Sequence, residues 1–508
     1  MSGKHGTPLR GLMATKSSPL YQGYFGRMFR QLKHAKFGKS DTETIANLTA
    51  LSAGMSAGFD PLSDHPDAEE SGIPSLYTYF GQFIDHDITF DPSSTLQKNK
   101  DPDALVDFRT PAFDLDNVYG RGPDDQPYLY DGGNSFLLGE PIGGGGDANA
   151  KDLPRNNAAI GRRRALIGDP RNDENTIVSQ LQGLFLRFHN RTVAENPGLD
   201  FSELQQIVRH HYQYVVLHDF LPRIVHSKVL AKLEGPDGRF DAHKLKFYHY
   251  RNDPFMPVEF SVAAYRLGHS MVRPGYRLND NVLLPIFPVP SQGLPEGLTG
   301  FREMIPVWGI DWGRFIDIDI RDSDAVGQTN RLQFAYRLDT SAVNPLSNLP
   351  ASVASDLPAS LPLRNLIRGW RLGLPSGQSV ARAMGLTPLR DDQILIGKFV
   401  ENLPKPPDPE APKPITSFGN VFAHNCPLWT YILAETLHHQ ESVLTPVNGV
   451  RNVMTPRLGP VGGRIVAEVF LGLMFGDNNS LLNQNPDWHP ALGANYALKD
   501  FVAYALGR

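Results

Sequence analysis

The sequence predicts a mainly α-helical protein: one large domain with long loops and very little β structure. Three observations carry that expectation. Apolar residues recur at three- and four-residue steps over much of the chain, the spacing that builds a buried helical face. Alternation at the strand period is scarce, and no internal repeat is visible. Glycine and proline number 47 and 42, so the helices must be joined by long loops rather than by the tight connections of a plain bundle.

At 508 residues the chain has room for about three ordinary domains or one large one. Residues 1–70 mix glycine, serine and charges; they are expected to form an arm, disordered at its tip, wrapped on a core domain spanning 71–508. Within the arm Thr44, Ile45, Leu48 and Leu51 space a helix over 42–55. Ile177, Leu181, Leu184, Phe185 and Phe188 mark a long amphipathic helix, and Leu204, Ile207, His211, Val215 and His218 mark the next. Residues 261–272 read as a further helix stopped by Pro274, and 461–474 as an apolar one. The glycines at 143–146 are too flexible for a regular element, and as a phosphate cradle they lack the Gly-Lys-Ser/Thr that should follow. Residues 404–414, rich in proline, are expected to run extended over the surface.

Composition excludes several classes. With 41% hydrophobic and 20% charged residues the chain is not wholly disordered. A net charge of −5 argues against a general nucleic-acid binder. Cys426 is the one cysteine, so neither an intramolecular disulfide nor a cysteine-based zinc site can form. No secretory signal is seen in residues 1–30, and no apolar run is long enough for a membrane helix. The expected location is cytoplasmic, or outside the cell by a signal-independent route.

Residues 75–90 hold the first chemical constellation. On a helix Gln82, Asp85 and His86 sit at i, i+3 and i+4 and share a face, whereas Asp87 is turned about 100° away. A lone histidine at a helix end is more often packed than functional; three polar groups on one face of an apolar helix point to a built site. Further on, Thr110, Asp114 and Asp116 offer hard oxygens at short spacing, which suits calcium, although spacing alone suits a plain Asp-rich turn as well.

Together these segments, Gly-Gln-Phe-Ile-Asp-His-Asp and Thr…Asp-x-Asp-x-x-Tyr-Gly, resemble the animal-type haem peroxidases of the peroxidase–cyclooxygenase superfamily, here as a microbial-type member. Residues 169–174 (Asp-Pro-Arg-Asn-Asp-Glu) resemble that family's Arg-x-x-Glu element, and 186–191 its Arg-x-His-Asn-Arg helix. Residues 265–270 are similar to its proximal histidine helix, and 361–368 with Gly373-Leu374-Pro375 to its proximal asparagine element. The elements follow in family order from about 76 to 385, with a weaker echo at 459–474.

The resemblance implies a haem-peroxidase domain holding haem b. His86 would act as general base and then acid on hydrogen peroxide, Arg171 would stabilise charge on the departing oxygen, and Gln82 would hold a water or small anion. His269 would ligate the haem iron while Asn365 accepts its other ring N–H. Arg266 and Arg368 would meet haem propionates. Asp85 and Glu174 match carboxylates that form ester links to haem methyl groups. The third link of some relatives, a methionine sulfonium, is impossible at Asn175, which implies a weaker oxidant than the chloride-oxidising relatives. Calcium would be held by Asp87, Thr110, the Ala112 carbonyl, Asp114 and Asp116, the last where relatives often use serine, and would brace the pocket because Asp87 adjoins His86.

The implied activity is reduction of hydrogen peroxide with oxidation of small phenolic or aromatic donors or halides through high-valent iron, with a place in the response to oxidative stress; the oligomeric state stays open. The alternative is a fatty-acid dioxygenase of the same superfamily. Its radical tyrosine sits three residues before the proximal histidine, where this chain has Arg266, and Tyr265 lies four before. A haem- and calcium-binding scaffold without turnover would not require His86 and Arg171. This chain also departs from the family at 370–373, where relatives carry Arg-Asp-His-Gly. His210, His211, His438 and His439 read as packing or surface residues, and Cys426 as a buried inert thiol.

Overall fold

The structure, a computed structural model, describes residues 25–58, 62–63, 65–89, 109–157, 161–250, 253–321, 330–354, 356–408, 411–449 and 451–508. The tip of the expected arm, residues 1–24, lies outside them. Among the described residues eight longer helices organise the chain: α1 (Asp41–Gly54), α2 (Leu76–Ile88), α3 (Thr176–Glu195), α4 (Phe201–Val215), α5 (Leu361–Arg371), α6 (Leu428–Glu435), α7 (Gly462–Gly476) and α8 (Leu498–Leu506). Strands among the described residues pair only as two-stranded ribbons, such as Gln440–Leu444 with Asn452–Pro456. The chain is mainly α, with long loops.

Local chemistry sets the helix starts. Ser40 accepts from the Glu43 N–H at 3.1 Å to cap α1, Asn175 accepts from Ile177 and Val178 to cap α3, and Asp200 with Glu203 forms a capping box on α4. The apolar face of α2 is locked by aromatic packing. Phe83 stacks on Phe185 of α3 at 4.2 Å, and Phe185 and Phe188 meet Phe501 of α8 at 4.6 and 4.1 Å. Such pairs are worth roughly 0.5–1.5 kcal/mol each beyond area burial. They hold α2, and the polar residues on its other side, in one place.

The arm packs on this core from residue 25 onward. The backbone N–H groups of Met28 and Phe29 both donate to the buried Glu259 carboxylate at 3.1 Å, and Phe29, Phe37, Leu48 and Leu51 are buried. Arg27 donates to the carbonyls of Leu372 and Gly373, closing the arm over the divergent loop at 370–373.

Two expected elements differ. Residues 261–272 do not form one helix; they break into the turns Val258–Ser261, Ala264–Leu267 and Gly268–Met271. Side chains take the carbonyls that a continuous helix would use: Arg266 Nε donates to Ser261 O at 2.9 Å, and Ser270 Oγ to Leu267 O at 3.0 Å. The proline-rich stretch turns instead of running extended. Asp408 N–H donates to Lys405 O at 3.0 Å, and Lys413–Pro414 pairs with Leu395–Ile396; residues 409–410 lie outside the described set.

At the junction of α6 and α7 the buried Glu435 carboxylate accepts from the N–H groups of Val461 and Gly462. Burial pushes its pKa up to about 8. Because the folded value lies above the ordinary ~4.3, the proton's stabilising contribution is full below that ordinary value and is lost as pH rises towards the folded one. Glu435→Gln should therefore gain stability on the wild type at ~1.4 kcal/mol per pH unit through this window. Unfolding temperatures of both proteins from acidic to mildly alkaline pH check it; a constant difference would refute it.

Candidate functional site

His269 stands in the turn Gly268–Met271, and its Nδ1 lies 2.8 Å from the Asn365 side-chain amide on α5. Turning that amide by half a rotation presents its oxygen to a ring N–H in the same place. Burial, and then the Arg266 charge, hold the imidazole pKa down at about 3, so the ring is neutral near pH 7. Among the described residues no hydrogen bond reaches its Nε2, which leaves a lone pair open to a metal. Arg266 precedes His269 by three residues and lies in the adjoining turn Ala264–Leu267. Arg368 is partly exposed one turn after Asn365 on α5.

On α2 the second histidine is held as firmly. His86 is buried, with Nδ1 2.7 Å from Asn172 Oδ1. The orientation of that amide follows from its other end, where Asn172 Nδ2 donates to Gln182 Oε1 at 2.8 Å. A carbonyl oxygen only accepts, so the proton sits on Nδ1 and Nε2 is the basic nitrogen. Nε2 lies 3.5 Å from the partly exposed Glu174 carboxylate, beyond hydrogen-bond range. Gln82 Nε2 donates to the same carboxylate, and Asn175 Nδ2 donates to Gln82 Oε1 at 3.1 Å. The structure thus brings Gln82, His86 and Glu174 into one cluster. Asp85 is partly exposed on the same helix, its Oδ1 accepting from Thr89 at 3.1 Å.

Arg171 takes a different position from the cluster. Its Nη2 donates to the carbonyls of His86 and Thr89 at 3.0 and 2.7 Å, and its Nε and Nη2 donate to Asp169. The guanidinium is clamped to the end of α2 with 20% of the side chain exposed.

The other side of α2 meets an oxygen cluster. Carboxylate oxygens of Asp87, Asp114 and Asp116 lie within 4.8 Å of one another. Leu115, at φ +58°, makes the left-handed turn between the last two. Asp87 is fully buried, and neither of its oxygens has a hydrogen-bond partner among the described residues. Burial raises the pKa of all three carboxylates, and the Asp114 charge raises that of Asp87 further. Orphaned oxygens among all-oxygen donors fit a hard cation such as calcium rather than zinc. Ala112 is buried in the same loop and Thr110 is exposed, its carbonyl accepting from the Ala112 N–H at 2.8 Å.

Sequence reasoning missed the residues that hold the others. Arg109, fully buried, donates to Asp116 at 2.8 Å and to Asp169, so Asp169 links the oxygen cluster to Arg171. Burial raises the Asp169 pKa, but the charges of Arg109 and Arg171 outweigh it and hold the carboxyl well below the usual range. Its stabilisation is present above the ordinary ~3.9 and is lost as pH falls towards the folded value. Asp169→Asn strips a buried ion pair of one charge and should cost ~3–5 kcal/mol in denaturant unfolding at neutral pH; a loss under ~1 kcal/mol would show that Asp116 alone satisfies Arg109. Asn172 and Asp169 lie inside a motif read from the sequence, but side-chain partners distant in the chain define what they do.

Other motif residues serve the scaffold. His189 joins the Tyr119 hydroxyl and Asn134 carbonyl, and Asn190 bonds both backbone groups of Phe136. His211 packs against Trp488 at 4.9 Å, and His210 against the same ring at 5.6 Å. Cys426 is buried, and burial pushes its thiol pKa up.

Residues 97–292 match the animal haem peroxidase family. A peroxidase-like protein of Margaritifera margaritifera is 27% identical over 256 residues, 39% of this chain and 31% of its own length. Thyroid peroxidase of Canis lupus familiaris is 27% identical over 154 residues, 29% of this chain and 15% of its own length. The match thus spans less than a third of either relative. In fold the chain is similar to peroxidase A of Dictyostelium discoideum, with a TM-score of 0.56 at 15% identity over 95% of this chain and 94% of that one. It is also similar to the fatty acid alpha-dioxygenase of Oryza sativa, with a TM-score of 0.54 at 15% identity over 96% of this chain and 79% of that one.

Proposed function

We propose, because residues 97–292 match the animal haem peroxidase family, that the chain holds haem b with His269 towards the iron and His86 as the acid–base group, and uses hydrogen peroxide to oxidise small phenolic or aromatic donors or halides. The observation that carries this reading is the pair of amide-held histidines. His269 is kept neutral with no hydrogen bond on Nε2 among the described residues, and His86 is held by Asn172 at Nδ1 with Nε2 facing Glu174. Haem, when bound, supplies an iron that exchanges electrons with peroxide.

The chain's own residues do the proton work. His86 Nε2 takes a proton from incoming peroxide and returns it to the oxygen that leaves as water. Arg171, from its clamp on Asp169, lends positive charge to that end of the pocket, and Gln82 orders the water or anion beside it. Arg266 and Arg368 are assigned to the propionates, and Asp85 and Glu174 to ester links with haem methyl groups. Calcium is assigned to Asp87, Thr110, the Ala112 carbonyl, Asp114 and Asp116. A dioxygenase role has less support, because the Tyr265 hydroxyl donates to Gly81 O at 3.2 Å on α2.

Reconstitution with haem tests the reading. A Soret band, peroxide-dependent oxidation of guaiacol or iodide, and some haem resisting acid extraction after turnover are expected. A Soret band without turnover would indicate a scaffold, and oxygen uptake with palmitate a dioxygenase.

A further inference from the structure

We propose that Trp370 is a surface oxidation site for aromatic donors too large to enter the haem cavity, joined through Trp429 to the proximal side of the haem site. The proposal rests on the haem-peroxidase reading above. The chain has 5 tryptophans, and two of them line one narrow pocket together with Asn365. Trp429 is 4% exposed, and its indole N–H donates to the Arg266 carbonyl at 3.3 Å. That bond ties it to the turn that carries His269. Trp370 lies on the same helix as Asn365, five residues on, and is partly exposed. Asn365 itself bonds His269 at 2.8 Å. Trp429 thus touches the turn next to the expected axial ligand, and Trp370 shares its pocket and reaches the surface.

The pocket decides what can travel this way. Its interior is about 10 Å³, space for a single water-sized sphere, so no aromatic donor reaches Asn365 along it. An electron can. Phe37, Val262, Leu366, Leu374, Pro427 and Leu428 line it with apolar surface, which keeps the route between the indoles poor in water. Tryptophan is the natural relay because indole is among the most readily oxidised side chains.

The chemistry balances as follows. Trp429 has its N–H on a carbonyl that cannot take a proton, so it passes one electron inward to the peroxide-oxidised haem and keeps its hydrogen. Trp370 then loses one electron to Trp429 and its indole proton to solvent. A donor AH bound at Trp370 restores both as a hydrogen atom and leaves as A•. Two donors are consumed per peroxide: H2O2 + 2 AH gives 2 H2O + 2 A•.

The test uses the haem-reconstituted full chain, with a bulky sulfonated azo dye as large donor and iodide as small one. Trp370→Phe and Trp429→Phe should each lower peroxide-dependent dye oxidation by at least ~10-fold, while iodide oxidation and the Soret band stay within about twofold of wild type. Peroxide treatment with a nitroso spin trap should place an adduct on Trp370 by peptide mass spectrometry, and Trp370→Phe should abolish it. Trapping on the wild type decides the matter even if a variant folds poorly. Unchanged dye oxidation in a well-folded Trp370→Phe, or no adduct at Trp370 while iodide turnover is intact, would overturn this proposal alone. A wild type with neither Soret band nor iodide turnover would overturn the peroxidase reading and this proposal with it.

Discussion

Replacing His269 by alanine is expected to abolish stable haem binding, lowering affinity by at least ~100-fold in a Soret titration of the haem-free protein. The imidazole is the group that burial and the Arg266 charge keep neutral, and no hydrogen bond among the described residues reaches its Nε2. Asn365→Ala should weaken binding less, by ~10–100-fold, because it removes the partner that orients the ring and leaves the ligand itself. Free imidazole should partly restore the spectrum of His269→Ala by occupying the vacated space. A variant that keeps both wild-type affinity and a wild-type Soret band would show that iron is held elsewhere.

Removing calcium is expected to have the second largest effect. Asp87, Asp114 and Asp116 converge with both Asp87 oxygens unpartnered among the described residues, and Arg109 neutralises only part of that charge. Free calcium at ~100 times its Kd would stabilise the folded chain by about 2.7 kcal/mol, so chelation should lower the unfolding temperature and added calcium should restore it. Asp114→Ala should unfold at the chelated temperature whether or not calcium is added. Because Asp87 follows His86 and Arg109 shares Asp169 with Arg171, chelation should also slow the reaction with peroxide. Protein that binds no calcium in metal analysis, and melts unchanged with chelator, would leave Arg109 and bound protons to neutralise the cluster.

Local geometry made part of this site legible. Helix periodicity places Gln82, Asp85 and His86 together and turns Asp87 away, and α2 carries Gln82 and His86 to Glu174 while Asp87 meets Asp114 and Asp116. The helix expected over 42–55 is observed as Asp41–Gly54, and the one through Ile177 and Phe188 as Thr176–Glu195, each with its cap in the adjoining sequence. Residues 261–272 misled because composition favours a helix there, while carbonyl capture by Arg266 and Ser270 breaks it.

By itself, then, the sequence determined the fold class, the long helices and the residue types at the two histidine positions, since these depend on spacing within a few turns of one chain segment. Tertiary structure alone decided how those groups are held. The Asn172 amide that leaves Nε2 of His86 basic lies 86 residues from it, and Asn365 lies 96 residues from His269. Asp169 joins Arg109 to Arg171, and Trp429 reaches the Arg266 carbonyl 163 residues away. Such contacts form only when separate helices pack, and the energy that fixes them is the burial of polar groups that must then find a partner. No periodicity within one segment encodes which distant amide or carboxylate that partner is.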